Sequence, residues 1–442
     1  MRTRSRAKTR RNRVGRYTPL VSSSPREFAT EIVRRLRGAG HVAYFAGGCV
    51  RDELLGLRPK DYDVATSATP DEVRPLFRRV SEVGASFGVM LVREGGTEGA
   101  VVEVATFREE SGYSDKRRPD EVRFSDAKAD AKRRDYTINA LFLDPLDTTE
   151  RAGGAIIDYV GGREDLDAKR IRAVGNPDAR LSEDHLRALR AVRLAARLGF
   201  TIEARTAEAI SRHATELAGI SRERVGEELR KMLAHPARTN AVDLLERLRL
   251  DGPTLESPND HRERPSVAGI AENAPFACAL AAWEVDRAHD GQTGLSASIL
   301  QRALAEAPSR LRGAVCLSND ERDDLVSIVR LLAAIGGDWE AGAVSARKRL
   351  AAGPRFADAL AIAAARDSSL AATVLADVTT LAATPSGLAP PPLITGDDLV
   401  ALGRTPGPFF KKALDAAYDA QLEDRATTRD EALAIADAVL GA

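Results

Sequence analysis

Residues 46–52, Ala46-Gly47-Gly48-Cys49-Val50-Arg51-Asp52, and residues 61–66, Asp61-Tyr62-Asp63-Val64-Ala65-Thr66, decide how this chain folds and where its chemistry sits. The first stretch follows the run His41–Phe45 and precedes an apolar segment with Leu54, Leu55 and Leu57, a strand, glycine turn and helix in sequence terms. Paired glycines ahead of a helix N-terminus let backbone N–H groups approach phosphates closely, and Gly48 and Arg51 are the candidate contacts. In the second stretch, residues i and i+2 of an extended strand point to one side, so Asp61 and Asp63 would stand together. Two like charges so placed are costly unless divalent cations lie between them, and hard oxygen ligands suit Mg2+. Taken singly, a glycine turn or a pair of solvated loop acids carries little meaning. A phosphate cradle followed by metal carboxylates is what two-metal phosphoryl transfer requires.

Further along, Glu103 interrupts the otherwise apolar strand Val101–Thr106. A charge there either faces solvent or has a partner. Lys132-Arg133-Arg134-Asp135 packs three cations beside an acid ahead of an apolar strand at Leu141–Leu143, either as a solvated charge run or as an anion site. Residues 182–198 read as one helix, with Glu183 and Asp184 suited to its first turn. On that helix Asp184, Arg187 and Arg190 share a face, and Arg193 lies nearly opposite Asp184, because steps of three drift by about −60° each.

Around these segments the chain has 442 residues, enough for about three domains, with 65 basic and 65 acidic side chains. Residues 1–16 carry eight Arg or Lys and no acid, leaving 57 basic against 65 acidic side chains in the remainder. Polyanion binding by the folded part must therefore come from local patches, and the arm itself reads as disordered and solvated, with a phosphate-contacting arm as the alternative. Cys49, Cys278 and Cys316 are odd in number and widely spaced, which excludes a disulfide framework or zinc knuckle. The absence of an 18-residue apolar run argues against a membrane span, and the cysteine usage points to a reducing cytoplasm. His289-Asp290 lacks further histidines at ligand spacing and reads as a surface pair.

Short strand-like runs at His41–Phe45, Val89–Val92, Val101–Thr106, Leu141–Leu143 and Ile156–Asp158 follow a helix near 27–38. After Asp167 the periodicity becomes helical, at 182–198, Ala204–Ala218 and Arg222–Leu233. Four prolines in 251–275 suggest a linker, and a second break falls at Ala383–Pro392. The fold class expected is an α+β head with a small mixed β-sheet followed by helices.

The motifs Gly-Gly-Cys-Val-Arg-Asp, Asp-Tyr-Asp, Arg-Arg-Asp-Tyr-Thr-Ile-Asn-Ala and Glu-Asp-His-Leu-Arg-Ala-Leu-Arg occur in the order found in class II tRNA nucleotidyltransferases. The chain resembles these CCA-adding enzymes and the related bacterial poly(A) polymerases over about residues 44–235. Ser221–Leu229 resembles the last neck motif, and the segments at 393–399 and 403–408 resemble the tail of bacterial members. The resemblance implies a nucleotidyltransferase head at 26–165 behind a basic arm at 1–25. A neck for nucleotide selection at 166–240, a helical body at 241–382 and an RNA-binding tail at 383–442 would follow.

It further implies Asp61 and Asp63 as metal ligands and Glu103 as a third head carboxylate. Gly48, Arg51, Arg134, Asp184, Arg187, Arg190 and Arg193 match nucleotide-binding positions. CTP and ATP would be the substrates, Mg2+ the cofactor, and the acceptor and TΨC arms of tRNA the partner, with no protein partner or membrane. Glu109–Pro119 resembles the loop that switches CCA-adding enzymes from C to A. Gly84–Val89 lacks the paired cations of the poly(A) polymerases. Addition of A alone and polyadenylation stand as alternatives within the family, and a non-catalytic RNA-binding module outside it. Arg222, Arg224, Arg230, Lys231, Lys411 and Lys412 are candidate RNA contacts.

Overall fold

A computed structural model describes residues 24–83, 88–95, 99–111, 121–147, 153–257, 264–289 and 294–441. The basic arm at 1–16, residues 112–119 of the switching loop, residues 84–87 and Asp290 lie outside the described residues. The chain divides into two compact units, one running through Arg187 and taking in Phe200–Ile210, the other comprising Ala188–Gly199 and Ser211–Ala442.

The first unit opens with the helix Pro25–Gly38. The Ser24 hydroxyl accepts from the Glu27 N–H, and Pro25 occupies the first turn where its missing N–H costs nothing. Phe28, Ala29, Ile32, Val33 and Leu36 fall on one stripe, all fully buried against the first two strands. The strands are β1 Ala43–Ala46, β2 Asp63–Thr66, β3 Val80–Glu82, β4 Val89–Arg93, β5 Val101–Thr106, β6 Arg108–Ser111, β7 Glu121–Phe124, β8 Phe142–Asp144 and β9 Ala155–Ile157.

Among the described residues, seven of these form one sheet in the order β3-β4-β5-β2-β1-β8-β9. Every pairing is antiparallel except β2 with β5, which run parallel with Asp63 level with Glu103. A cluster of Ala46, Ala65, Phe107, Ala127, Ala131, Ala140, Phe142 and Val174 packs the unit, with the Phe107 and Phe142 rings edge to face at 5.8 Å. Strands β6 and β7 make a separate hairpin, which the sequence reading did not anticipate. It also missed the short parallel pair β10 Arg170–Ile171 and β11 Thr201–Ile202.

Three helical expectations need correction. The helix after the glycine turn spans Gly48–Leu54, so the turn is itself the helix start. The helix expected at 182–198 is two helices, Pro177–Glu183 and Leu186–Leu198, broken at Asp184, whose φ of −156° and ψ of 103° are extended. The start signal missed was Asn176-Pro177, where the Asn176 side chain caps the N–H groups of Asp178 and Ala179. The supposed linker at 251–275 contains the helices Asp251–Leu255 and Pro265–Gly269.

The second unit is helical. Phe276–His289 is apolar almost all round and correspondingly buried, and Asn319–Ile335 starts in a capping box of Ser318 and Glu321. The last helices, Gly396–Ala401, Pro408–Leu422 and Arg429–Gly441, share a small core of Ile394, Leu399 and alanines 413, 417, 420, 426, 432 and 436.

Two candidate RNA contacts are built into this unit. Arg222 gives its guanidinium to the Ala314, Pro253 and Thr254 carbonyls, and Arg230 is bidentate on Glu321. His289 is buried, with Nδ1 against the Val285 carbonyl and Nε2 accepting from the Ser296 N–H, a packed core residue and not a surface pair.

Candidate active site

The carboxylates are placed by the residue between two of them. Tyr62 turns inward, its ring edge-on to Phe45 at 5.2 Å and its hydroxyl donating to Glu53 at 2.6 Å. Arg26 holds the same Glu53 oxygen at 2.7 Å. With Tyr62 buried, the alternation of an extended backbone turns Asp61 and Asp63 to the opposite side. Asp63 opens the central strand β2, flanked by β1 and β5, and the parallel register sets Glu103 beside it. Burial, the neighbouring Glu103 and then Asp61 push the Asp63 carboxyl up from 3.8 to about 6, against the opposing pull of Arg134. Both acidic neighbours raise the charge cost of Asp63, and carboxylate oxygens are the donor type that a hard divalent cation takes.

Beside this cluster the glycine turn is locked by two arginines. Gly47 has φ +77° and ψ −128°, a region open only to glycine, and a Cβ there would meet Arg134 Nη1 at 3.0 Å. Arg134 donates to the Asn139 carbonyl at 3.0 Å and to Asp130 Oδ2 at 2.9 and 3.1 Å, with its guanidinium 5.1 Å from the centre of the Phe142 ring. Arg51 is only 4% exposed. It donates to Asp52 Oδ1 at 2.6 and 2.8 Å and to Asn139 Oδ1 at 2.5 Å, while Asn139 Nδ2 donates to Asp135. Both cations therefore brace the turn through Asn139, and Gly48 starts the helix. Cys49, within the turn, is buried and its thiol is pushed up to about 11, so it is no nucleophile at neutral pH.

Asp184 stands between two helices. Its Oδ1 accepts from the Leu186 N–H at 3.1 Å and its carbonyl from the Arg187 N–H at 3.0 Å, so it caps the helix that carries Arg187. Arg187 Nη1 donates to the Arg180 carbonyl at 2.8 Å and to Glu183 at 2.5 Å, with Nη2 3.5 Å from the Arg133 carbonyl. The Tyr136 hydroxyl donates to the Arg187 carbonyl at 2.6 Å. Asp184 and Arg187 are thus fastened to the segment that carries Arg134. Arg190 and Arg193 belong to the second unit, where Arg193 Nε donates to the buried Glu228 at 2.5 Å.

Residues 43–172 match the Poly A polymerase head domain, and residues 199–252 match the probable RNA and SrmB-binding site of polymerase A. A CCA-adding enzyme of Lactiplantibacillus plantarum is 34% identical over 427 residues, 94% of this chain and 97% of that protein. The chain belongs to the CCA-adding enzyme family.

Another CCA-adding enzyme, from Geobacillus thermodenitrificans, is 36% identical over 75% of this chain and 83% of its own length. With the CCA-adding enzyme of Bacillus subtilis the shared stretch is 42% identical and spans 58% of that protein. The crystal structure of the Bacillus stearothermophilus CCA-adding enzyme in complex with CTP superposes with a TM-score of 0.68 at 29% identity, covering 95% of this chain and 99% of that one. A nucleotidyltransferase head with a mixed sheet and a helical remainder is the architecture of this family of CCA-adding enzymes.

Sequence reasoning singled out the carboxylates and arginines but passed over what holds them. Asn139 and Glu228 stood in quoted motifs without a role, and Glu53 and Asp130 had no motif at all. Their signal is in the strand alternation and the arginines: Tyr62 between two acids must bury its hydroxyl, and buried arginines need acceptors.

Proposed function

We propose that this chain adds CCA to the 3′ ends of tRNA without a nucleic-acid template, taking CTP and ATP and releasing pyrophosphate. Similarity to a CCA-adding enzyme along nearly the whole of both chains carries the reading, and the paired Asp63 and Glu103 register supports it. The RNA 3′-hydroxyl attacks the α-phosphate in line, forming the new P–O bond as the bond to pyrophosphate breaks. Asp61 and Asp63 would hold divalent cations, Mg2+ being suited to oxygen donors, and these would supply two-metal chemistry: a more acidic hydroxyl and a neutralised triphosphate.

The Gly47 N–H is given to the Leu141 carbonyl, so the helix start at Gly48 is what faces the triphosphate, and Arg51 and Arg134 add positive charge behind it. Glu103 lies beside Asp63 and shares the charge of the cluster. Base choice falls to Asp184 and Arg187. A carboxylate accepts from the amino group of cytosine or adenine, and a guanidinium donates to cytosine N3 or adenine N1. Guanine and uracil present a carbonyl where Asp184 needs a donor, and unpaired buried polar groups discriminate strongly. Arg190 and Arg193 continue the selection helix, with Arg193 oriented by Glu228.

The test supplies Mg2+ and tRNA transcripts ending at the discriminator base, at C and at CC, with CTP and ATP singly and together. Termination after one CCA on all three supports the reading. Extension of only the CC-ended transcript makes it an A-adding enzyme, long A tails a poly(A) polymerase, and no incorporation refutes an enzymatic role.

A further inference from the structure

Lys348 lies within the helix Val344–Ala351 with none of its surface exposed. Among the described residues no carboxylate bonds it. Its Nζ donates to Thr384 Oγ1 at 2.5 Å, Ser386 Oγ at 2.7 Å and the Leu422 carbonyl at 2.8 Å. The hydroxyl hydrogens are spoken for, since Thr384 donates to the Leu381 carbonyl and Ser386 to the Leu422 carbonyl. Both hydroxyls therefore turn only lone pairs toward the amine, and three acceptors take the three N–H donors of an ammonium. A buried ammonium needs negative charge nearby. Leu422 stands at the C-terminal end of Pro408–Leu422, so the negative end of that helix dipole meets Lys348 directly, while the C-terminal end of Ser368–Ala382 reaches it through Thr384.

This joint ties three parts of the second unit: the helix bearing Lys348, the connection at 384–386, and the long helix of the last segment. Ser345 donates to Glu423 and Arg349 to Asp419, each at 2.8 Å, and Arg349 lies 4.7 Å from the centre of the Tyr418 ring. Apolar surfaces can slide past one another, whereas three bonds from one tetrahedral nitrogen fix a direction. At the far end of Pro408–Leu422 stand Phe409, 64% exposed, and the exposed Lys411 and Lys412. An aromatic face beside cations suits RNA bases and phosphates.

We infer that Lys348 is a positioning residue for RNA, its buried ammonium setting the angle at which the last helices present Phe409, Lys411 and Lys412. This rests on the proposed tRNA reaction. In Lys348→Met the stem that fills the site is kept and the charge removed. The expected result is a KM for full-length tRNA raised about tenfold, equivalent to about 1.4 kcal/mol, with kcat within about twofold. KM for a hairpin carrying the acceptor stem alone should not change, because so short an RNA does not need the far contact.

A variant whose two substrates lose activity alike, or neither of whose substrates changes, overturns the inference. Should Lys348→Met fail to fold, Ser386→Ala removes one acceptor and should shift the tRNA KM in the same direction by a smaller factor; no shift there overturns it equally. Wild-type protein that extends neither RNA refutes the tRNA reading itself, so the two failures are distinguishable.

Discussion

Replacing Asp63 with asparagine should make the metal-free protein more stable at pH 8 while removing its activity. The folded carboxyl is pushed from 3.8 to about 6, so the folded state holds that proton more tightly than the unfolded state. Stability from this group is then present below about pH 4 and lost as pH rises through about 6. At about 1.4 kcal/mol per pKa unit, the ionised Asp63 costs the metal-free fold about 3 kcal/mol at pH 8 as a ceiling. Solvent on the open side of the strand brings that to about 1–2 kcal/mol. Asparagine keeps the shape without the charge, and a unit of this size gains about 2–4 °C for each kcal/mol.

Melting of wild type and Asp63→Asn in excess chelator, at pH 4.5 and pH 8, reads the effect. The variant should melt several degrees higher at pH 8, with the gap falling to about a third of that at pH 4.5. Mg2+ should raise the wild-type melting temperature at pH 8 and leave the variant unmoved. A variant no more stable than wild type at pH 8 in chelator would refute the reasoning, because the acids would then carry no charge strain for a cation to relieve.

Three further outcomes follow from the same geometry. Tyr62→Phe removes the bond to Glu53 and should cost about 1 kcal/mol and lower kcat more than nucleotide KM; melting curves with steady-state kinetics check it, and an unchanged kcat would count against the pinning role. Gly47→Ala forces a side chain into φ +77° and toward Arg134, which should destabilise by about 2 kcal/mol and raise the KM for CTP and ATP alike, measured by urea melts and single-nucleotide incorporation. Asp184→Ala should admit UTP and GTP before it loses all chemistry, and unchanged selectivity in single-nucleotide incorporation would sink the base-pairing role.

How much of this was legible beforehand differs by kind of residue. Strand β5 was read at its observed bounds because alternation of Val with Glu103 and Thr106 declares itself locally, and Arg222–Leu233 likewise by its apolar spacing. Asp61 and Asp63 drew attention because acids two apart in an extended segment stand on one side, which is costly once solvent is excluded. The break at Asp184 was not, since Ser182, Glu183 and Asp184 suit a first turn, and the competing start at Asn176-Pro177 lies only six residues earlier. The roles of Asn139 and Glu53 were out of reach for another reason. Their partners Arg51 and Arg26 are 88 and 27 residues away, and no local pattern announces a contact across that distance. Arg222 shows the opposite error: an exposed-looking cation on a helix turned out to satisfy three backbone carbonyls.

The strand order of the head has a bearing on how the protein is made. Its middle strand, β2, finds one neighbour in β1 just before it, but the other, β5, is synthesised only after two further strands. Asn139, which clasps both Arg51 and Arg134, emerges later still, immediately ahead of β8. A nascent chain on the ribosome thus carries Asp61 and Asp63 for some 80 residues of elongation before their surroundings can close. The seven-stranded sheet can therefore be completed only late in synthesis, and a chain released before residue 157 lacks the edge strand β9.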